Sequence, residues 1–146
     1  MRANIISVGS FKRNDGYSQL FAEYQKRIGY RVELIEVKNA ASPGVEGKSI
    51  IKNLGNNFKM VALDGRGEML TSEDLRELCN GFFESCGGIN FVIGGANGLS
   101  EEVLGAAHFR LSFGKMVFPH LLARVMLIEQ LYRIYTMNCN HPYHRA

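Results

Sequence analysis

The chain closes on NHPYHRA (140–146), a tail whose side chains can move protons, stack on a flat ring and grip an anion. Histidine titrates near neutrality. Tyrosine offers an aromatic face with a polar tip, and arginine presents a planar fork of donors matched to a phosphate or a base oxygen. His144, Tyr143 and Arg145 are therefore candidates for chemistry, whereas His141 precedes a proline and suits a fixed turn. Arg124 joins them from the preceding helix. At helical spacing it falls opposite the polar arc of Glu129, Gln130 and Arg133, beside His120 and Tyr135. An arginine on an apolar face must snorkel, pair or meet an anion.

A second group of residues could cradle a ligand. LDGRG (63–67), IGGANGLS (93–100) and FGKMVFP (113–119) each follow a short apolar run. Gly94, Gly95 and Gly98 allow close backbone approach and expose N–H groups at a helix start. The same residues also suit a plain tight turn, with Asn97-Gly98 supplying positive φ. The spacing is not GxGxxG, and no acidic residue stands where a dinucleotide ribose needs one. Asp64 and Arg66 sit exposed at a strand end.

The periodicity predicts the frame that positions them. Strands are expected at 4–9, 30–37, 59–65, 89–95 and 109–113. Helices are expected at 17–28, 44–58, 71–83, 100–108 and 119–136, with Thr71 or Ser72 and Ser100 as caps and Pro119 in a first turn. Alternating strands and helices with near-continuous apolar strands imply one α/β domain, residues 1–146, built on a mostly parallel sheet. Ligands in such sheets bind beyond the carboxyl ends of the strands, where the three loops fall. The last helix is apolar nearly all round, which predicts a homodimer packed through it, the alternative being a core helix within one chain. His108 is expected to complement a helix C-terminus.

Composition narrows the class. An apolar fraction of 46% with 21% charged residues is ordinary for a globular domain, and a net charge of +3 permits a nucleic-acid partner without demanding one. No apolar run is long enough to span a bilayer, and the N-terminus lacks a secretory pattern, so no membrane partner and a cytoplasmic location are expected. Cys79, Cys86 and Cys139 lack disulfide or zinc spacing; reduced structural thiols and no metal site are expected.

LDGRGEMLTSEDL, FVIGGANGLS, LSFGKMVFPHLLARVMLIEQLYR and NHPYHRA together resemble the RlmH-type ribosomal RNA methyltransferases, the small single-domain branch of the SPOUT superfamily. The likeness covers essentially the whole chain. It implies a parallel-sheet α/β fold with a deep trefoil knot in the C-terminal half, against the usual avoidance of threading. It also implies S-adenosyl-L-methionine held mainly by loop backbone: at Leu63, at Gly95 with Gly94 beside it, and along Gly114, Lys115, Met116, Val117, Phe118 and Pro119. An obligatory dimer with one tail near the partner's cofactor follows from the same likeness. So does a substrate, N3 of a pseudouridine in large-subunit ribosomal RNA on the assembled ribosome. On that reading His144 assists loss of the imide proton, Tyr143 meets the base, and Arg145 with Arg124 holds phosphate or base oxygen. One departure stands out: Glu68 occupies the place where family members carry a lysine. The competing readings are a knotted methyltransferase for another rRNA or tRNA position, a non-catalytic ribosome-binding relative, and a flavodoxin-like module.

Overall fold

A computed structural model describes residues 1–145. The elements alternate as expected: β1 (Arg2–Val8), α1 (Gly16–Arg27), β2 (Arg31–Val37), α2 (Pro43–Lys52), β3 (Lys59–Met69), α3 (Ser72–Cys86), β4 (Gly88–Ile93), α4 (Glu101–Ala106), β5 (Phe109–Ser112) and α5 (His120–Asn138). Local chemistry sets the boundaries. The side chains of Asp15, Ser42, Thr71 and Ser100 each cap a helix by accepting a backbone N–H, and Thr71 closes a reciprocal capping box with Asp74.

The five strands form one sheet in the order β2-β1-β4-β3-β5, and every pairing is parallel. Two apolar layers sandwich it. On one face Ala3, Ile5, Ile89, Phe91 and Ile93 meet Phe21 of α1, Leu75, Cys79 and Phe83 of α3, and Leu127, Ile128 and Leu131 of α5. On the other, Ile6, Val8, Met60 and Val92 meet Ile50 of α2 and Val103 of α4. Period-two alternation along β1 and β4 sends successive side chains to opposite layers, so both faces must be apolar.

Three expectations change. α2 stops at Lys52, where Asn53 caps it and its amide donates to Ser49 O at 2.8 Å. The LDGRG segment is no free loop, because β3 runs through to Met69. Leu63 and Glu68 both register against Leu111, so residues 64–67 arch out between two stretches of pairing with β5. Gly67 makes the arch possible, since a Cβ there would sit 2.5 Å from Arg110 O. His108 does not serve the end of α4; its Nδ1 accepts the Met60 N–H at 2.9 Å and its own N–H donates to Met60 O at 2.8 Å.

Cys79 is sealed in the α3 layer, and burial pushes its thiol up to about 12. Cys139 is exposed. Native titration with a thiol reagent should modify Cys139 rapidly and leave Cys79 unmodified until denaturant is added, as read by peptide mapping.

Candidate functional site

The carboxyl ends of β3, β4 and β5, with the start of α5, enclose a cavity of about 450 Å³. The β3 arch contributes Leu63, Asp64, Gly65 and Arg66. The turn after β4 contributes Ile93, Gly94, Gly95 and Gly98, closed by a bridge between Gly95 and Gly98. The segment after β5 supplies Phe113 to Phe118, and α5 adds His120 and Ala123. Eight of the nine residues expected to hold a cofactor (Leu63, Gly94, Gly95, Gly114, Lys115, Met116, Val117 and Phe118) therefore meet in one place. Pro119 stands just outside the lining and caps α5, its carbonyl accepting the Ala123 N–H at 3.0 Å.

Ser112 pins the two loops that frame the cavity. Its buried hydroxyl lies 3.2 Å from Gly65 O and 3.1 Å from Gly114 O, with one proton to donate between them, and it accepts the Gly114 N–H at 3.1 Å. Gly114 turns at φ +128°, a conformation that a Cβ would strain. Sequence reasoning missed Ser112. The one available signal was a polar residue ending an apolar strand next to a glycine.

Arg124 does not lie with the tail. Its fully buried guanidinium donates from Nε to Ser7 Oγ at 2.7 Å, from one terminal nitrogen to Glu36 Oε2 at 2.7 Å, and from the other to Val8 O at 3.1 Å and Gly9 O at 2.7 Å. It also stands 4.7 Å from the centre of the Phe11 ring. Burial pulls its pKa down while Glu36 opposes the shift; an arginine nonetheless keeps its charge. Within this chain it ties α5 to the ends of β1 and β2, and four of its five N–H groups are committed there. The seam expected to run from His120 through Arg124 and Tyr135 toward the tail divides, because Tyr135 turns to Gly29 and Tyr30.

The tail docks on the polar arc of α5. His141 N donates to Thr136 O at 2.9 Å, and its Nδ1 accepts the Tyr143 N–H at 3.1 Å, closing a turn. The Tyr143 hydroxyl donates to Glu129 Oε1 at 2.8 Å, a carboxylate that also receives Arg133 at 2.6 Å. Its ring lies 4.6 Å from that of Tyr132. Burial, then the contacts with Tyr24 and Glu129, raise its pKa above the usual tyrosine range. His144 Nδ1 is shut from solvent and has no hydrogen-bond partner among the described residues, and Arg145 is exposed. This dock borders a second, apolar groove of about 440 Å³ between α1, α3 and α5, which shares Leu111, Phe113 and Gly114 with the cavity. In its own chain the tail is thus beside the groove, not the cavity.

α5 is mostly a core helix of its own chain: Val125, Leu127, Ile128, Leu131, Tyr132 and Ile134 are buried without a second protomer. Its apolar character therefore does not by itself require one.

The family model described as predicted SPOUT methyltransferase matches residues 1–144. The chain belongs to the SPOUT methyltransferase family. Among the relatives of this SPOUT chain is a Clostridium botulinum (strain Langeland) protein named ribosomal RNA large subunit methyltransferase H. It is 39% identical, over 99% of this chain and the whole of the relative. A Clostridium perfringens (strain SM101) protein named ribosomal RNA large subunit methyltransferase H 1 is 37% identical at the same coverage. A solved probable methylase family protein from Haemophilus influenzae shares the fold, with a TM-score of 0.57 at 16% identity over 99% of this chain and 70% of its own.

Two substitutions test this arrangement. Arg124→Met should lower unfolding free energy by about 2–4 kcal/mol in urea, because it orphans several buried acceptors at once. Tyr143→Phe should leave global stability intact but release the tail, raising carboxypeptidase cleavage roughly 5–30-fold for about 1–2 kcal/mol of lost docking.

Proposed function

We propose that this SPOUT protein transfers the methyl group of S-adenosyl-L-methionine to N3 of a pseudouridine in large-subunit ribosomal RNA, acting as a homodimer on the assembled ribosome. The observation that carries the reading is the meeting of loops 63–66, 93–98 and 113–118 in one cavity at the carboxyl edge of a parallel sheet. The residues present fit the cofactor. The volume lies within the range of roughly 300–1,000 Å³ of small-molecule sites, and Gly94, Gly95, Gly98 and Gly114 in the lining let backbone approach closely. The names of the relatives support the RNA substrate.

When bound, the cofactor supplies an already activated methyl group, so the protein's work is alignment and proton removal. Leu63, Gly94, Gly95 and the 114–119 segment hold it. His144 takes the imide proton of N3 or stabilises the base once deprotonated. Tyr143 stacks on the target base and Arg145 holds phosphate or base oxygen. Arg124 serves by position, fixing the first turn of α5 where His120 and Ala123 face the cavity.

Because the tail docks away from its own cavity, a partner's cavity is the better destination for His144 and Arg145. A dimer also covers the apolar groove, whose rim exposes Leu20 (46%) and Met69 (61%). The knotted threading of the C-terminal half belongs to the same reading. It is supported by a chain that leaves the β5 edge, forms the cavity wall and returns α5 to the end of β1. No helix among the described residues is long and apolar enough to cross a membrane, and a cytoplasmic location suits a ribosomal substrate.

Truncation after Asn140 should give a folded dimer that binds S-adenosyl-L-methionine in calorimetry yet leaves ribosomes unmethylated. The reaction itself is tested by labelling ribosomes from a strain lacking the enzyme and mapping the methyl group by mass spectrometry. Transfer to another nucleotide, or none by the intact protein, would refute the assignment.

A further inference from the structure

The corner of the molecule beside the cavity carries three cations that the rest of the chain leaves unengaged. β1 and β2 end side by side, with the Gly9 N–H donating to Val37 O at 2.8 Å. Lys38 follows on one strand, and Lys12 and Arg13 follow in the turn after the other. All three residues are exposed, and none forms an ion pair among the described residues. The corner abuts the cavity. A Cβ on Gly9 would lie 3.3 Å from His120 Nε2, and one on Gly95 would lie 3.4 Å from Asn39 Oδ1. His120 and Gly95 both line the cavity.

The backbone under these cations is held in place. The Phe11 N–H donates to Glu36 Oε2 at 2.7 Å, and its ring packs 4.7 Å from the Arg124 guanidinium and 5.6 Å from the ring of Phe21. The Asp15 N–H donates to Lys12 O at 3.1 Å across a turn that Asn14 passes at φ +60°, and Asp15 Oδ1 accepts the Tyr17 N–H at 2.8 Å to start α1. The carboxylates of the corner are already engaged. Glu36 serves Arg124 and Phe11, Asp15 caps α1, and the buried Glu46 accepts the Ala40 N–H at 3.0 Å. Positive charge on a backbone fixed before binding suits a polyanion, because little order remains to be imposed. The phosphates of a nucleic acid present such charge at regular intervals.

We propose that Lys12, Arg13 and Lys38 form a landing ridge for the RNA backbone, gripping phosphates that flank the nucleotide presented to the cavity. The proposal rests on reading the protein as a ribosomal RNA methyltransferase, and it adds where the strand lies. The RNA crosses the ends of β1 and β2, on the opposite side of β4 from the β3 arch. Phosphate contacts fix register and orientation without reading sequence, so choice of the base stays with the cavity and the tail. Affinity for ribosomes then depends on the ridge, whereas affinity for the cofactor does not.

The test compares the intact protein with a ridge variant combining Lys12→Gln, Arg13→Gln and Lys38→Gln. A control combines Arg2→Gln, Lys52→Gln and Lys59→Gln, removing as many charges from the starts of β1 and β3 and the end of α2, at the opposite edge of the sheet. Co-sedimentation with unmethylated ribosomes should show roughly tenfold or more weaker binding by the ridge variant. Its plot of log affinity against log salt should be shallower by about 2–3, the slope of three lost phosphate contacts. The control should bind as the intact protein does, and both variants should keep the melting temperature and the calorimetric affinity for S-adenosyl-L-methionine. A loss below tenfold in the ridge variant overturns the proposal, as does a comparable loss in the control. A ridge variant that melts lower or loses the cofactor overturns it too, since the side chains would then serve the fold. Lost binding to phosphatidylglycerol vesicles with ribosome binding intact would assign the ridge to a lipid surface, and overturn it as well. If the intact protein itself does not bind ribosomes, the substrate reading fails first and takes this inference with it.

Discussion

The buried guanidinium of Arg124 joins the two ends of the chain, reaching Ser7 from 117 positions away. Desolvating a cation is costly, and the structure offsets that with Glu36, two backbone carbonyls, a hydroxyl and the face of Phe11. The geometry is selective because a planar fork must meet acceptors from β1 and from Glu36 of β2 at once. It thereby fixes where α5 begins. His120 and Ala123, on the first turn of that helix, complete a cavity whose other walls belong to β3, β4 and β5. Gly9 contributes by absence: a Cβ there would sit 3.3 Å from His120 Nε2 and 3.8 Å from the guanidinium.

Around this anchor the site is assembled from loops on a rigid frame. Strands covered on both faces by apolar layers do not shift easily, and their carboxyl ends deliver the loops to one place. Ser112 couples two of those loops through one hydroxyl, so the β3 arch and the 113–119 segment share a fixed spacing.

What was legible in the sequence follows the range of the interactions involved. Strand and helix order came from apolar periodicity and capping residues, both local signals. The three loops were legible because glycines cluster where a parallel sheet turns over. The β3 arch was not, since strand register depends on β5, more than 40 residues later. Arg124 read as a stranded cation because its partners are at the opposite end of the chain. The apolar circumference of α5 suggested a second protomer, yet a helical wheel cannot distinguish a neighbouring chain from α1, α3 and the sheet of the same one. Tyr143 stood out as an aromatic able to meet a base, while its socket depends on Glu129 and Tyr132, whose tertiary placement the sequence does not display.

The closure by Arg124 also orders events in time. A nascent chain that has reached residue 112 already holds all five strands, and with them the β3 arch and the β4 turn of the cavity. The remaining walls arrive only with the 113–119 segment and the opening turn of α5, and are secured only when the guanidinium finds Ser7, Val8 and Gly9, more than 110 positions earlier. Closing so long a loop is the slow, entropically expensive step. The protein therefore acquires its ligand-sized cavity only once α5 has docked against β1.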